Sequence, residues 1–160
     1  MSDSGLDYFL LVLLRPKRRL RRGPKCPETF VPLGNRCYHL GGRGEYKNWF
    51  EAQEYCSDLN SYLVELETQE EVTLVTSFMH ATGECTEYWT GGEELGNSNT
   101  FVWHRTQQPV GPNNWHRGQP DDPTSGDAVF MYCGWDFQWG DYPKEFYFLY
   151  YLCETSPIIP

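Results

Sequence analysis

Apolar positions recur at helical spacing from Ala52 onward: Ala52, Tyr55, Cys56 and Leu59 share one face. Asn48 stands where a capping residue belongs, and Glu51 follows three positions later, so the spacing predicts a helix starting there. Ser57-Asp58 and Asn60-Ser61 favour its end. A second helix is predicted after Thr68-Gln69-Glu70-Glu71, with Val72, Val75, Thr76 and Met79 as its apolar face and Gly83 past its end. Leu63 to Leu66 reads as a short strand between the two. Beyond Gly83 the helical period vanishes. Tyr88-Trp89-Thr90, Phe101-Val102-Trp103, Ala128 to Tyr132 and Phe146 to Leu152 then read as strands. Phe30, Val31 and Leu33 precede Gly34-Asn35, a hairpin signal flanked by Cys26 and Cys37. The stretch from Trp103 to Ala128, rich in Pro, Gly and Asn, is longer than a connection needs, and such loops are usually functional. The expected fold class is α+β, two helices packed on small antiparallel sheets.

The length of 160 residues suits one domain. Charge divides it unevenly. Arg15, Lys17, Arg18, Arg19, Arg21, Arg22 and Lys25 crowd the start, leaving 6 basic and 20 acidic residues beyond position 25. Residues 1–24 are therefore expected to be a disordered basic segment, 25–155 the domain and 156–160 a short tail. The apolar run Tyr8 to Leu14 is far below the roughly 20 residues of a membrane-spanning helix. It also lacks the layout of a standard signal peptide. Arg19-Leu20-Arg21-Arg22 has the look of a dibasic processing site. An acidic domain should repel nucleic acid and anionic membrane and attract cations.

Six cysteines, none in a C-x-x-C pair, read as three disulfides of a secreted, extracellular protein, with 15 pairings open. His39, His80, His104 and His116 are scattered, and neither His-Glu-x-x-His nor Gly-x-Ser-x-Gly occurs, so no enzyme is expected.

A longer order of motifs spans Cys26 to Glu154. It comprises Cys26-Pro27 with Cys37-Tyr38, then Trp49-x-x-Ala52-x-x-x-Cys56 with Leu59, and then Glu70. Trp89-Thr90-Gly91-Gly92, Phe101-x-Trp103 and Asn114-Trp115-x-x-Gly118-Gln119-Pro120-Asp121 follow, before Trp139-x-Asp141 and Leu152-Cys153-Glu154. This order resembles the C-type lectin family and implies the C-type-lectin-like fold. The resemblance implies disulfides Cys26–Cys37 and Cys56–Cys153. The family's usual pair beside the long loop would fall near Ala128 and Lys144 and is missing. Cys85 and Cys133 remain, at neighbouring ends of two predicted strands, and are expected to bond instead.

In sugar-binding members the long loop holds a calcium ion, a hard cation taking six to eight oxygens. The resemblance implies Gln119, Asp121, Asp127 and Asp141 as metal and carbohydrate ligands. Gly140 stands where the family has Asn, so one side-chain oxygen is missing. Asn at this position is expected to restore it. Gln119-Pro120-Asp121 resembles the galactose-preferring version of the loop. The aromatic that would face such a sugar is expected to be Trp135 or Phe137. The implied function is a calcium-dependent lectin for galactose-type glycans. The alternative is a calcium-independent, protein-binding member.

Overall fold

The computed structural model describes residues 25–124 and 126–159. The basic segment 1–24 and its dibasic block lie outside the described residues. Strands β1 (Val31–Leu33) and β2 (Arg36–Gly41) form the first hairpin. Helix α1 (Trp49–Asp58), strand β3 (Tyr62–Leu63) and helix α2 (Gln69–Ala81) follow. Strands β4 (Glu87–Glu94), β5 (Phe101–Trp103), β6 (Asp127–Tyr132), β7 (Gln138–Pro143) and β8 (Tyr150–Thr155) complete the α+β fold.

Both helix starts follow from their caps. The Asn48 side chain accepts the Glu51 amide at 2.9 Å while the Glu51 carboxylate accepts the Asn48 amide at 3.0 Å. Thr68 Oγ1 accepts the Glu71 amide at 3.1 Å. Past α2, Gly83 takes a φ of +74°, which glycine adopts without steric cost. The last strand begins later than expected, at Tyr150 instead of Phe146. Phe146 is 76% exposed and Phe148 55%, so this aromatic run is a surface loop and the continuously buried stretch Tyr151 to Glu154 starts after it.

The sheet runs β1-β2-β8-β4-β6-β7, with β3 on β8 and β5 on β4. Every described pairing between strands is antiparallel except β4 with β8. Cys56 of α1 bonds Cys153 of β8, with Cα atoms 5.5 Å apart. Cys26–Cys37 closes the base of the first hairpin, and Cys85–Cys133 joins the start of β4 to the end of β6. The two ends of the described chain meet where the Ile158 amide donates to the Lys25 carbonyl at 2.8 Å.

Two aromatic cores flank the sheet. One gathers Val75, Met79, Tyr88, Trp103, Met131 and Trp139 under α2. The other gathers Trp49, Cys56, Trp89, Phe130 and Cys153 under α1. Both indoles of the α1 side are anchored: Trp49 Nε1 donates to the Thr90 carbonyl at 2.9 Å, and Trp89 Nε1 to the Lys47 carbonyl at 3.0 Å.

Acids tie α2 and β8 to the hairpin. Glu154, 1% exposed, accepts from the Arg36 guanidinium at 2.7 Å and from the Glu65 amide at 3.0 Å. Glu71 accepts from the Tyr38 hydroxyl at 2.8 Å and from the Glu67 amide at 3.2 Å. Burial, with Glu154 nearby, pushes the Glu71 carboxyl up to about 7 against the pull of Tyr38, the Glu67 amide and Arg36. The folded state therefore holds this proton more tightly than the unfolded chain does. The resulting stability is complete below about pH 4.5 and is lost as pH rises through about 7. Glu71→Gln should leave the melting temperature nearly unchanged at pH 5 and raise it by a few degrees, relative to the parent, at pH 8. Thermal unfolding at both pH values checks this, and an equal shift at the two would contradict it.

Candidate functional site

The long loop returns to the sheet at the paired ends of β6 and β7. Asp127 faces Pro143 across these strands, Val129 faces Asp141, and Met131 faces Trp139. Alternation then puts Asp127 and Asp141 on the same sheet face as core residues, which explains their burial: Asp127 is 0% and Asp141 3% exposed. On the opposite face Phe130 lies across from Gly140, and Ala128 across from Tyr142.

Asp141 organises the loop. One carboxylate oxygen accepts the Asp121 amide at 2.9 Å and the Asp122 amide at 3.3 Å. Its own amide donates to Gln119 Oε1 at 3.4 Å. The Gln119–Pro120 peptide is cis. Only Asp121 of this segment is exposed; Gln119, Pro120 and Asp122 are half-buried. The Asp141 carboxylate pulls the segment down by its backbone amides. Asp127 accepts from the Thr124 hydroxyl at 2.6 Å, and that hydroxyl also lies 2.6 Å from Asp122 Oδ1. The second Asp127 oxygen is buried without a partner.

Burial pushes the Asp127 carboxyl up to about 6, and the charges of Asp122, Asp141 and Glu94 add to that. Burial also raises Asp141, although the Asp121 and Asp122 amides hold it down. Among the described residues no lysine, arginine or histidine forms an ion pair with any of these aspartates.

Glu94 is a member of the site that the linear sequence does not mark. It is 7% exposed and accepts the Gly126 amide at 3.0 Å, the Asp127 amide at 3.4 Å and the Asn99 amide at 2.8 Å. Thirty-three positions separate it from Asp127, and only the β4–β6 pairing joins them.

Trp135 sits in a short 3-10 turn, Cys133–Trp135, between β6 and β7. Its indole stacks on the His116 ring at 4.3 Å with an interplanar angle of 4°. His116 in turn accepts the Gln119 amide on its carbonyl at 2.8 Å, which places the aromatic pair beside the Gln119 segment. Trp135 is partly exposed. Phe137 is corrected as a surface aromatic: it is 1% exposed and packed under His80, with ring centroids 4.8 Å apart.

Asn at position 140 does not fit as expected either. A Cβ there would lie 2.8 and 2.9 Å from the Phe130 ring and 3.0 Å from Gln119 Oε1. The Phe130 ring, stacked on Tyr142 at 3.9 Å, fills the space a side chain would need. Hard oxygen donors are thus gathered without a counter-cation. Among the described residues, however, no three acidic, histidine or cysteine side chains surround a common point. One oxygen each of Asp141 and Asp122 is engaged, by two amides on Asp141 and by the Thr124 amide and hydroxyl on Asp122.

A family model described as the Lectin C-type domain matches residues 45–155. A Perlucin-like protein of Mytilus galloprovincialis is 28% identical over 141 residues, spanning 85% of this chain and 86% of that one. The cow C-type carbohydrate-recognition domain of CD23, solved in the presence of a GlcNAc2Man3 oligosaccharide, is 26% identical with a TM-score of 0.70. That match covers 85% of this chain and 99% of the cow domain. The fold is also that of the Ca2+-independent C-type lectin SPL-2 from Saxidomus purpuratus, at 20% identity and a TM-score of 0.70, covering 81% and 93% of the two chains.

Gly140→Asn should destabilise the domain by about 1 to 3 kcal/mol through overpacking against Phe130. Denaturant unfolding measures the loss. Combining it with Phe130→Leu should recover part of it, and a fully stable single variant would contradict the packing argument.

Proposed function

The chain belongs to the C-type lectin domain family, and from that premise we propose that it is an extracellular, calcium-dependent, carbohydrate-binding protein with a galactose-type preference. The observation that carries this reading is the group of acids Asp121, Asp122, Asp127, Asp141 and Glu94, which has no cationic partner among the described residues and includes a buried oxygen on Asp127 without a hydrogen-bond partner there. Like charges brought this close favour a bound cation over mutual repulsion. Gln119, Asp121, Asp127 and Asp141 would hold the ion, and carboxylate and amide oxygens are the donors calcium prefers. Gly140 contributes no side-chain oxygen, so this set is smaller by one protein ligand than the family's usual one. When bound, calcium offers open coordination positions to a pair of sugar hydroxyls.

The protein's own residues do the rest. Asp141 holds the Gln119–Asp122 segment in place by its amides. Gln119 and Asp121 set the pattern of donors and acceptors that a sugar meets, in the order that resembles the galactose type. Trp135, backed by His116, offers an apolar ring to the C–H face of the sugar. The three disulfides suit an oxidising compartment. The family works by binding and generally not by catalysis. No helix among the described residues is long and apolar enough to cross a membrane.

A second reading, a calcium-independent binding protein, is favoured by one observation: one Asp141 oxygen is already engaged by two amides, and among the described residues the acidic side chains do not surround a common point. One experiment separates the two. Retention on immobilised galactose in millimolar calcium, with release by chelator, is expected under the first reading. Calcium at 100 times its dissociation constant should stabilise the fold by about 2.7 kcal/mol. Asp121→Asn, which removes a negative ligand but keeps an oxygen, should weaken calcium binding and blur the sugar preference together. Absence of any calcium-dependent shift in melting temperature would leave the calcium-independent reading.

A further inference from the structure

The disulfide Cys85–Cys133 belongs to no site so far described. It differs from the other two in its surroundings. Cys37, Cys56 and Cys153 are each 0% exposed, so both other bonds have at least one end sealed in the core. Cys85 is exposed and Cys133 half-buried. A thiolate attacks a disulfide only where it can reach a sulfur, so access separates this bond from its neighbours.

Its position gives the access a consequence. Cys133 opens the turn that carries Trp135, so the disulfide anchors that turn to the start of β4. The Asp136 amide donates to the Cys133 carbonyl at 3.1 Å and the Phe137 amide to the Tyr132 carbonyl at 2.9 Å. Asp136 and Phe137 take φ values of 56° and 57°, two consecutive non-glycine residues in the left-handed region. Such residues persist only where their surroundings fix them. The fixing contacts are the disulfide and the Cys133 amide on the Thr86 carbonyl at one end, the buried Phe137 ring at the other, the Trp135 ring against His116, Phe130 and Tyr132, and the Asp136–His80 pair at 2.5 Å between exposed side chains. An exposed pair of that kind contributes little.

We propose that Cys85–Cys133 is the positioning element of the Trp135 turn, and that thiol reductants open it selectively while the other two disulfides persist. A dithiol supplies the electrons. Its thiolate attacks the Cys85 sulfur, forming a mixed disulfide and releasing the Cys133 thiolate, which takes up a proton. The second thiol of the reductant then closes on the first, releasing Cys85 as a thiol. The protein disulfide is reduced by two electrons and the dithiol is oxidised by two. The effect on sugar binding rests on the proposed role of Trp135 and is read separately.

The test titrates the folded protein with dithiothreitol, quenches with iodoacetamide and maps the labelled peptides. Cys85 and Cys133 should be labelled at a reductant concentration about tenfold below that needed for Cys26, Cys37, Cys56 or Cys153. At that point amide exchange at Asp136 and Phe137 should rise about tenfold, while the β6 amides of Val129 and Phe130 stay protected. A Cys85→Ser, Cys133→Ser double variant should show the same local exchange without reductant. Simultaneous labelling of all six cysteines overturns selectivity. Unchanged exchange in the turn, in the reduced protein and in the double variant, overturns positioning. Retention of the oxidised and selectively reduced forms on galactose in calcium is compared in parallel, and a several-fold loss on reduction is expected. Equal retention of the two forms overturns the link to Trp135. An oxidised form that is not retained at all counts against the proposed function, whereas labelling and exchange still decide the role of the disulfide.

Discussion

The bond between Cys56 and Cys153 fastens the first helix to the last strand, and the architecture depends on where that strand runs. β8 lies inside the sheet, with β2 antiparallel on one side, β4 parallel on the other and β3 against its end. A strand delivered last must enter a gap between elements made much earlier, and its pairings close loops of most of the chain. Such contacts cost loop entropy before they contribute anything. A disulfide spanning 97 residues removes part of that cost from the unfolded state, about 4 to 5 kcal/mol by the loop-entropy estimate. With β8 in place, Glu154 reaches Arg36 and the Glu65 amide, and the β2–β8–β4 core of the sheet forms a rigid base for β6 and β7.

The domain treats its buried acids in two ways. At the β2–β8 end, Glu154 is neutralised by Arg36 and surrounded by donors, as a structural carboxylate should be. At the β6–β7 end, Asp127 and Asp141 are equally buried but meet backbone amides, one hydroxyl and the charges of neighbouring acids. The first arrangement has its counter-charge built in. The second has no ion-pair partner among the described residues, at the mouth of the long loop.

Packing and ligand supply compete at Gly140. The Phe130 ring fills the space above it and stacks on Tyr142, which stacks on Tyr147 at 4.1 Å. This aromatic row stabilises the edge of the sheet, and it leaves no room for a side-chain oxygen. The volume that a side chain at position 140 would need is therefore taken by a phenyl ring.

Local chemistry made much of this legible from the sequence alone. Both helices, with their caps at Asn48 and Thr68, follow from patterns a few residues long, because caps and helical faces are short-range physics. The order of Trp, Gly and Cys motifs identified the family, and the α+β fold class came with it. What depended on long-range packing was out of reach. Nothing near Glu94 in sequence announces that it holds the Asp127 amide; the β4–β6 register decides it. Phe137 and Trp135 are both aromatics of one turn, and only the left-handed backbone of Asp136 and Phe137 sends one ring into the core and leaves the other beside His116. Gly140 read as a lost ligand, whereas the tertiary structure shows a space already filled, since a phenyl ring placed by strand pairing ten residues away cannot be read from the glycine itself.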